Sequence, residues 1–224
     1  MGEIVSEKSQ AREITEKVRR IMLDKIYGRE PPNRIWLSDT VYCGRKKIFR
    51  ILGLGEAIPE RAISRIWLGI VVGEALQRLG IARELPVEYR GIRGRIDVVT
   101  DTGEPIEVKT TVNPYTLATN YTTTHTEQLS RYCLATGTET GILFYYLPGA
   151  EISEMPATRY RFNLEQVQDE TDIRINMLEK ALAEQDPFTL PPTWHSKTFN
   201  NWECRQCNYR DLCLAKSRQT GLKI

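Results

Sequence analysis

Residues 92–110 read Ile92-Arg93-Gly94-Arg95-Ile96-Asp97-Val98-Val99-Thr100-Asp101-Thr102-Gly103-Glu104-Pro105-Ile106-Glu107-Val108-Lys109-Thr110. Apolar residues recur at every second position on both sides of Asp101-Thr102-Gly103-Glu104: Ile96 and Val98 before it, Ile106 and Val108 after it. A period of two belongs to a pleated strand, and Asp-Thr-Gly is turn chemistry. The stretch therefore predicts an antiparallel hairpin of residues 92–100 and 105–111. Successive strand side chains face opposite sides, so Glu107 and Lys109 share a face and Val108 is expected to enter the core. Asp97 on the partner strand falls across from them. Two carboxylates and one ammonium then form a patch between apolar residues.

Such a patch suits Mg²⁺ or Mn²⁺, which take oxygen ligands and keep several waters. A bound ion of this kind polarises a phosphodiester and acidifies its water. Two roles are then open to Lys109. It can neutralise phosphate charge, or it can act as a base, which requires a depressed pKa. A plain ion pair across an exposed sheet face is the competing explanation. The following segment adds Gln128 and Tyr132, four apart and so on one helix face. Tyr132 can stack on a base and Gln128 can hold a phosphate or a metal-bound water. The alternative is that Tyr132 is core and Gln128 faces solvent.

Outward from the hairpin, helix periodicity covers residues 7–27 through Ile14, Val18, Ile21 and Ile26. Pro31-Pro32 interrupts it. A second helix is expected from a Ser38 cap to Leu52, stopped by Gly53. A third runs from Pro59 to Gly80. Leu85, Val87 and Tyr89 alternate as a strand. A helix is expected over 124–135, an apolar strand buried on both faces over 140–147, a strand over 158–162 and a long helix over 164–185. The tail after Pro191-Pro192 reads as irregular. This order predicts a mixed sheet flanked by helices, in three parts: residues 1–82 helical, 83–190 the core, and 191–224 a cysteine-rich tail.

The whole chain has 224 residues, 41% hydrophobic and 27% charged, with net charge +2. These values describe an ordinary globular chain and exclude a disordered or fibrous one. The charge is uneven. Arg45, Lys46, Lys47 and Arg50 form a basic run, and the 31 basic residues are mostly arginine, which suits phosphate. The two histidines, His125 and His195, exclude a three-histidine zinc site. No apolar run approaches the ~20 residues of a membrane span, and no secretory leader is evident. The chain therefore reads as cytosolic, without a membrane partner. No Gly-Lys-Ser or Gly-Lys-Thr phosphate loop is present, so ATP-driven duplex opening is not expected.

In the cytosol, clustered cysteines suggest a metal. Cys204, Cys207 and Cys213 make three closely spaced ligands, and zinc and iron–sulfur sites usually want four. Cys133, flanked by apolar neighbours on a helix, reads as core. Cys43, beside the basic run, is the better fourth ligand. The basic residues then also balance the charge of the group they surround.

Taken together, Gly94-Arg95-Ile96-Asp97, Glu107-Val108-Lys109 and Gln128-x3-Tyr132 resemble the successive motifs of RecB-like PD-(D/E)xK nucleases. Leu37-Ser38-Asp39 leading to Cys43, with the late cysteine triplet, resembles the iron–sulfur form of that branch. The chain is most similar to the CRISPR-associated Cas-four exonucleases. The resemblance implies that Asp97 and Glu107 bind the catalytic Mg or Mn, that Val108 offers its backbone carbonyl, and that Lys109 is catalytic. It implies DNA handling by Gln128 and Tyr132, and a 4Fe–4S cluster on Cys43, Cys204, Cys207 and Cys213. It also implies cleavage of single-stranded DNA from the 5′ end, and CRISPR integrase proteins as partners. One departure stands out. The family usually has Gly-x-x-x-His-Glu on an early helix, whereas here Gly69-Ile70-Val71-Val72-Gly73-Glu74 puts Gly73 where a histidine ligand would be, leaving Glu74 or a water to fill the position. That motivates one alternative, a DNA-binding adaptor without catalysis; a separate alternative is a zinc-stabilised structural protein whose carboxylates fall together by chance.

Overall fold

The computed structural model describes residues 8–28, 34–54, 60–78, 85–111, 121–194 and 202–219. Pro31-Pro32, Pro59 and His195 lie outside these residues. Three helices come first: α1 (Lys8–Gly28), α2 (Gly44–Ile51) and α3 (Glu60–Arg78), with a 3₁₀ turn at Leu37–Thr40. Four strands follow: β1 (Leu85–Tyr89), β2 (Ile92–Ile96), β3 (Val98–Val99) and β4 (Pro105–Thr110). Then come α4 (Tyr121–Thr136), β5 (Thr140–Tyr146), β6 (Ala157–Arg161) and α5 (Leu164–Ala183). The tail holds α6 (Trp202–Arg205) and α7 (Arg210–Gln219). The chain is thus a mixed α/β protein.

The expected hairpin is present, but its first strand is split. β2 pairs with β1 in a two-stranded sheet, while β3 pairs antiparallel with β4, Val98 opposite Ile106. The break falls at Asp97. Its Oδ2 accepts the Val108 N–H at 3.2 Å, standing in for a ladder carbonyl. β4 then pairs parallel with β5, Glu107 opposite Leu143 and Lys109 opposite Tyr145. Parallel neighbours need a crossover, and α4 supplies it. β6 closes the four-stranded sheet in order β3-β4-β5-β6.

α4 lies against β5. Leu129 and Cys133 on the helix pack on Leu143 and Tyr145 of the strand. Each such buried aliphatic side chain contributes roughly 1.5–3 kcal/mol. The approach is close enough that a Cβ on Gly141 would lie 2.8 Å from Cys133 Sγ. β5 is fully buried on this face only; Ile142, Phe144 and Tyr146 on the other are half-buried, so the expectation of two buried faces is corrected. α5 turns Val167, Thr171, Ile175 and Leu178 inward, as its periodicity predicts, and Asn163 caps it by accepting from the Glu165 and Gln166 N–H groups.

Two other expectations are corrected. The second helix does not run unbroken from Ser38 to Leu52. Asp39 Oδ2 accepts the Trp36 N–H at 2.7 Å in the 3₁₀ turn, and Cys43 has a non-helical backbone (φ −52°, ψ 109°), so α2 begins only at Gly44. It ends as expected before Gly53, whose φ of 68° requires a left-handed backbone. The tail is also not irregular throughout, since α6 and α7 both carry cysteines. One apolar cluster gathers Leu37 and Ile48, Ile96 and Tyr132, Ile175 and Leu178, with Trp194 packed at its edge.

Candidate functional site

Glu107 and Lys109 do share a face of β4, as the alternation requires, but it is the deeper one. Glu107 is 1% exposed, and Val108 on the opposite face is half-buried rather than sunk in the core. Glu107 Oε1 is ion-paired with Lys109 Nζ. Its other oxygen, Oε2, is buried with no hydrogen-bond partner among the described residues. A buried carboxylate oxygen left unpaired is costly, and a cation is the natural occupant of such a position. Burial pushes the Glu107 carboxyl up to about 7, helped by Asp97 and opposed by Lys109.

Lys109 shows the opposite balance. Burial works against its ammonium, but Glu107, Tyr42 and Asp97 outweigh burial and hold its pKa above the ordinary lysine value. Charge neutralisation, one of the two roles open to it, fits this environment. Its Nζ donates to Gln128 Oε1 at 2.8 Å. Gln128 Nε2 donates to the Tyr132 hydroxyl at 3.0 Å. Both residues are buried, Tyr132 in the core and Gln128 away from solvent. Core burial therefore holds for the Tyr132 ring, as its alternative reading had it, but a solvent-facing position does not hold for Gln128. Neither offers an open stacking platform in this state.

Two residues complete the centre that were not among the candidates for it. Tyr42 donates its hydroxyl to the same Gln128 oxygen at 2.9 Å. His125, in the first turns of α4, meets the Tyr145 hydroxyl at 2.9 Å through Nδ1. Burial, then the nearby Lys109 charge, lowers His125 to about 3, so the imidazole is neutral at ordinary pH. Helical spacing from Gln128 would have flagged His125; no local pattern flags Tyr42.

Glu74 stands on α3, paired with Lys25 of α1 at 2.7 Å. Among the described residues, no three His, Cys, Asp or Glu side chains form a group that would hold one metal ion, so Glu74 does not join Asp97 and Glu107 in such a set. Among the described residues, nothing lies within 4 Å of a Cβ added at Gly73.

Cys43, Cys204, Cys207 and Cys213 all line one cavity of about 260 Å³. Its walls include Arg45, Lys46 and Arg210. The Cys43 N–H donates to Glu203 Oε1 at 3.0 Å, and its thiol donates to the Pro192 carbonyl at 3.1 Å. Arg45 Nη1 approaches Cys213 Sγ at 3.4 Å. Phe49 stacks on Tyr209, with ring centroids 5.3 Å apart. Burial pushes Cys43 up to about 12 and Cys204 to about 11. Cys133 is fully buried beside Leu129, in the core position expected of it. The basic run is not a uniform solvent face: Lys46 is exposed, but Arg45 and Lys47 are buried, Lys47 pairing with Asp39 at 3.1 Å.

Residues 7–214 match the family model of the PD-(D/E)XK nuclease superfamily. The chain belongs to that superfamily, whose members use divalent metal ions. Among solved structures, the crystal structure of SSO0001 is similar in fold, with TM-score 0.60 and 22% identity over 91% of this chain and 96% of that one. An alkaline exonuclease (LHK-Exo) from Laribacter hongkongensis gives TM-score 0.48 and 14% identity over 68% and 91%. A phage related exonuclease from Haemophilus somnus 129PT gives 0.49 and 8% over 67% and 94%. None of the curated proteins matches this chain. Among the described residues, no helix is long and apolar enough to cross a membrane.

Proposed function

We propose that this chain is a metal-dependent DNA exonuclease that acts on single strands from the 5′ end and trims DNA ends for CRISPR adaptation, alongside integrase proteins. The observation that carries the nuclease reading is the orphaned Glu107 Oε2, buried beside Asp97 and Lys109. Asp97, Glu107 and the Val108 carbonyl would hold Mg²⁺ or Mn²⁺, which supplies Lewis-acid activation of the phosphodiester. Lys109, held protonated, binds the phosphate charge. Gln128 fixes Lys109, and Tyr132 fixes Gln128. Glu74, engaged by Lys25, is not needed in this arrangement. The CRISPR role and the 5′ polarity rest on the resemblance of the motifs.

The four cysteines fit a 4Fe–4S cluster. They line one cavity together, and four thiolates are the ligand set such a cluster takes. Arg45 and Lys46 offset the charge of the thiolates. When bound, such a cluster would supply a covalent bridge between the segment before α2 and the tail. The chain then divides into three working parts. Residues 1–82 bring the first cluster ligand, 83–190 carry the nuclease centre, and 191–224 bring the remaining ligands.

Anaerobic purification with iron and zinc analysis, followed by cleavage of 5′- and 3′-labelled strands with Mg²⁺ or Mn²⁺, tests both the cluster and the nuclease. Brown protein that degrades the single strand from its 5′ end is expected. A colourless, zinc-loaded protein would exclude the cluster. Gly73 favours a second reading, a DNA-binding adaptor without catalysis. That reading predicts salt-dependent binding and no metal-dependent cleavage.

A further inference from the structure

Resting on the nuclease reading above, we infer that Tyr42 is a positioning residue that ties Gln128 and Lys109 to the wall of the cysteine cavity. Tyr42 sits in the break between the 3₁₀ turn and α2, next to Cys43, and itself lines the cavity. Its hydroxyl reaches 86 residues along the chain to Gln128 Oε1. An amide oxygen has two lone pairs. Here Tyr42 takes one and Lys109 the other, at 2.9 and 2.8 Å. The Gln128 amide nitrogen is committed to Tyr132. With all three bonds made, the terminal amide torsion, otherwise broad, has one setting. Lys109 is thereby held at Glu107.

The tail fixes the segment that presents Tyr42. Glu203 accepts the Cys43 N–H, the Trp194 indole donates to the Asp39 carbonyl at 3.3 Å, and Arg45 Nε donates to the Leu190 carbonyl at 2.8 Å. A cysteine-rich tail and a nuclease centre are thus joined by two hydrogen bonds, Glu203 with the Cys43 N–H and the neighbouring Tyr42 hydroxyl with Gln128.

The test compares Tyr42→Phe, Gln128→Ala and the double variant of the full chain on labelled single-stranded DNA with Mn²⁺, alongside iron content. Tyr42→Phe should lower kcat roughly three- to tenfold with little change in KM. Iron per chain should stay at the wild-type value, and the loss should vanish in the Gln128→Ala background. An unchanged kcat overturns the inference. So does the same loss in both backgrounds, because additivity would mean that Tyr42 acts by packing alone. Wild-type protein that does not cut DNA refutes the nuclease reading instead. The placement of Gln128 is then read from its side-chain amide resonances, which should shift in Tyr42→Phe; unshifted resonances overturn the inference on their own.

Discussion

Lys109 on β4 donates to Gln128 Oε1 on α4 at 2.8 Å, so an ammonium from a strand is oriented by an amide from the crossover helix that follows it. The two have different roles. Lys109→Ala or Glu107→Ala should reduce cleavage by roughly 10²–10³-fold, the scale of losing a charge placed at the reacting phosphate. Gln128→Ala, which acts through Lys109, should cost only about tenfold. Initial rates on a 5′-labelled strand measure the difference. Equal losses in all three variants would contradict this division of labour.

The Glu107 carboxyl is raised from an ordinary 4.5 to about 7. A carboxyl raised in the folded state stabilises the metal-free fold fully below about 4.5, and that contribution is lost as pH rises through about 7. Glu107→Gln should flatten the pH dependence of Tm across this window. Divalent cations compete for the same site, so Mn²⁺ affinity should rise with pH up to and through about 7 and then level off. Calorimetric titration at pH 6 and 8 checks it; equal affinity at the two values would contradict the assignment.

The cysteines should divide four to one. Serine at Cys43, Cys204, Cys207 or Cys213 should lower iron content and Tm together. Bridging positions 43 and 204 restricts a long loop of the unfolded chain, worth about 4–5 kcal/mol, or roughly 10 °C for a chain of this size. Cys133→Ala should lose stability through packing but keep its iron. Visible absorption per chain separates the two groups.

Gly141→Ala should destabilise by roughly 1–3 kcal/mol, because the new Cβ meets Cys133 Sγ and Leu129 Cδ1, each at 2.8 Å. Cys133→Ala in the same chain should recover part of the loss but not all, since Leu129 remains. Urea denaturation of the two single variants and the double variant measures the coupling.

Gly73 lies inside α3, and a Cβ added there would meet no atom of the described residues within 4 Å. Gly73→Ala should therefore stabilise the helix by roughly 0.5–1 kcal/mol. If the motif resemblance extends to the metal site, Gly73→His should also tighten Mn²⁺ binding. Equal Mn²⁺ affinity for Gly73→Ala and Gly73→His would show that this position is remote from the ion.

How much of this was legible in the sequence depended on range. Glu107 and Lys109 follow from a period of two, and Gln128 and Tyr132 from a spacing of four, because both rules act within one element. The strand break at Asp97 was hidden, since a side chain replacing a backbone acceptor leaves the hydropathy pattern unchanged. The unbroken second helix failed for a related reason. Residues 38–52 have helix composition, yet Tyr42 and Cys43 are drawn out of it by Gln128 and Glu203 from distant segments. Fold class survived these errors because it needs only the kind and order of elements. The centre itself depends on which long-range partner claims each side chain.

The span from Cys43 to the tail cysteines also sets an order of events in time. A ribosome adding roughly 5–20 residues per second takes about ten to thirty seconds to go from position 43 to position 204. Partway through that interval, once Gln128 has been added, Asp97, Glu107, Lys109 and Gln128 have all been made, while Trp194 and Glu203, which brace the Tyr42 segment, have not. On the proposed reading, the newborn chain would then carry the parts of a nuclease centre before it can hold them in place, so competence would wait for the segment that holds Trp194 and Glu203.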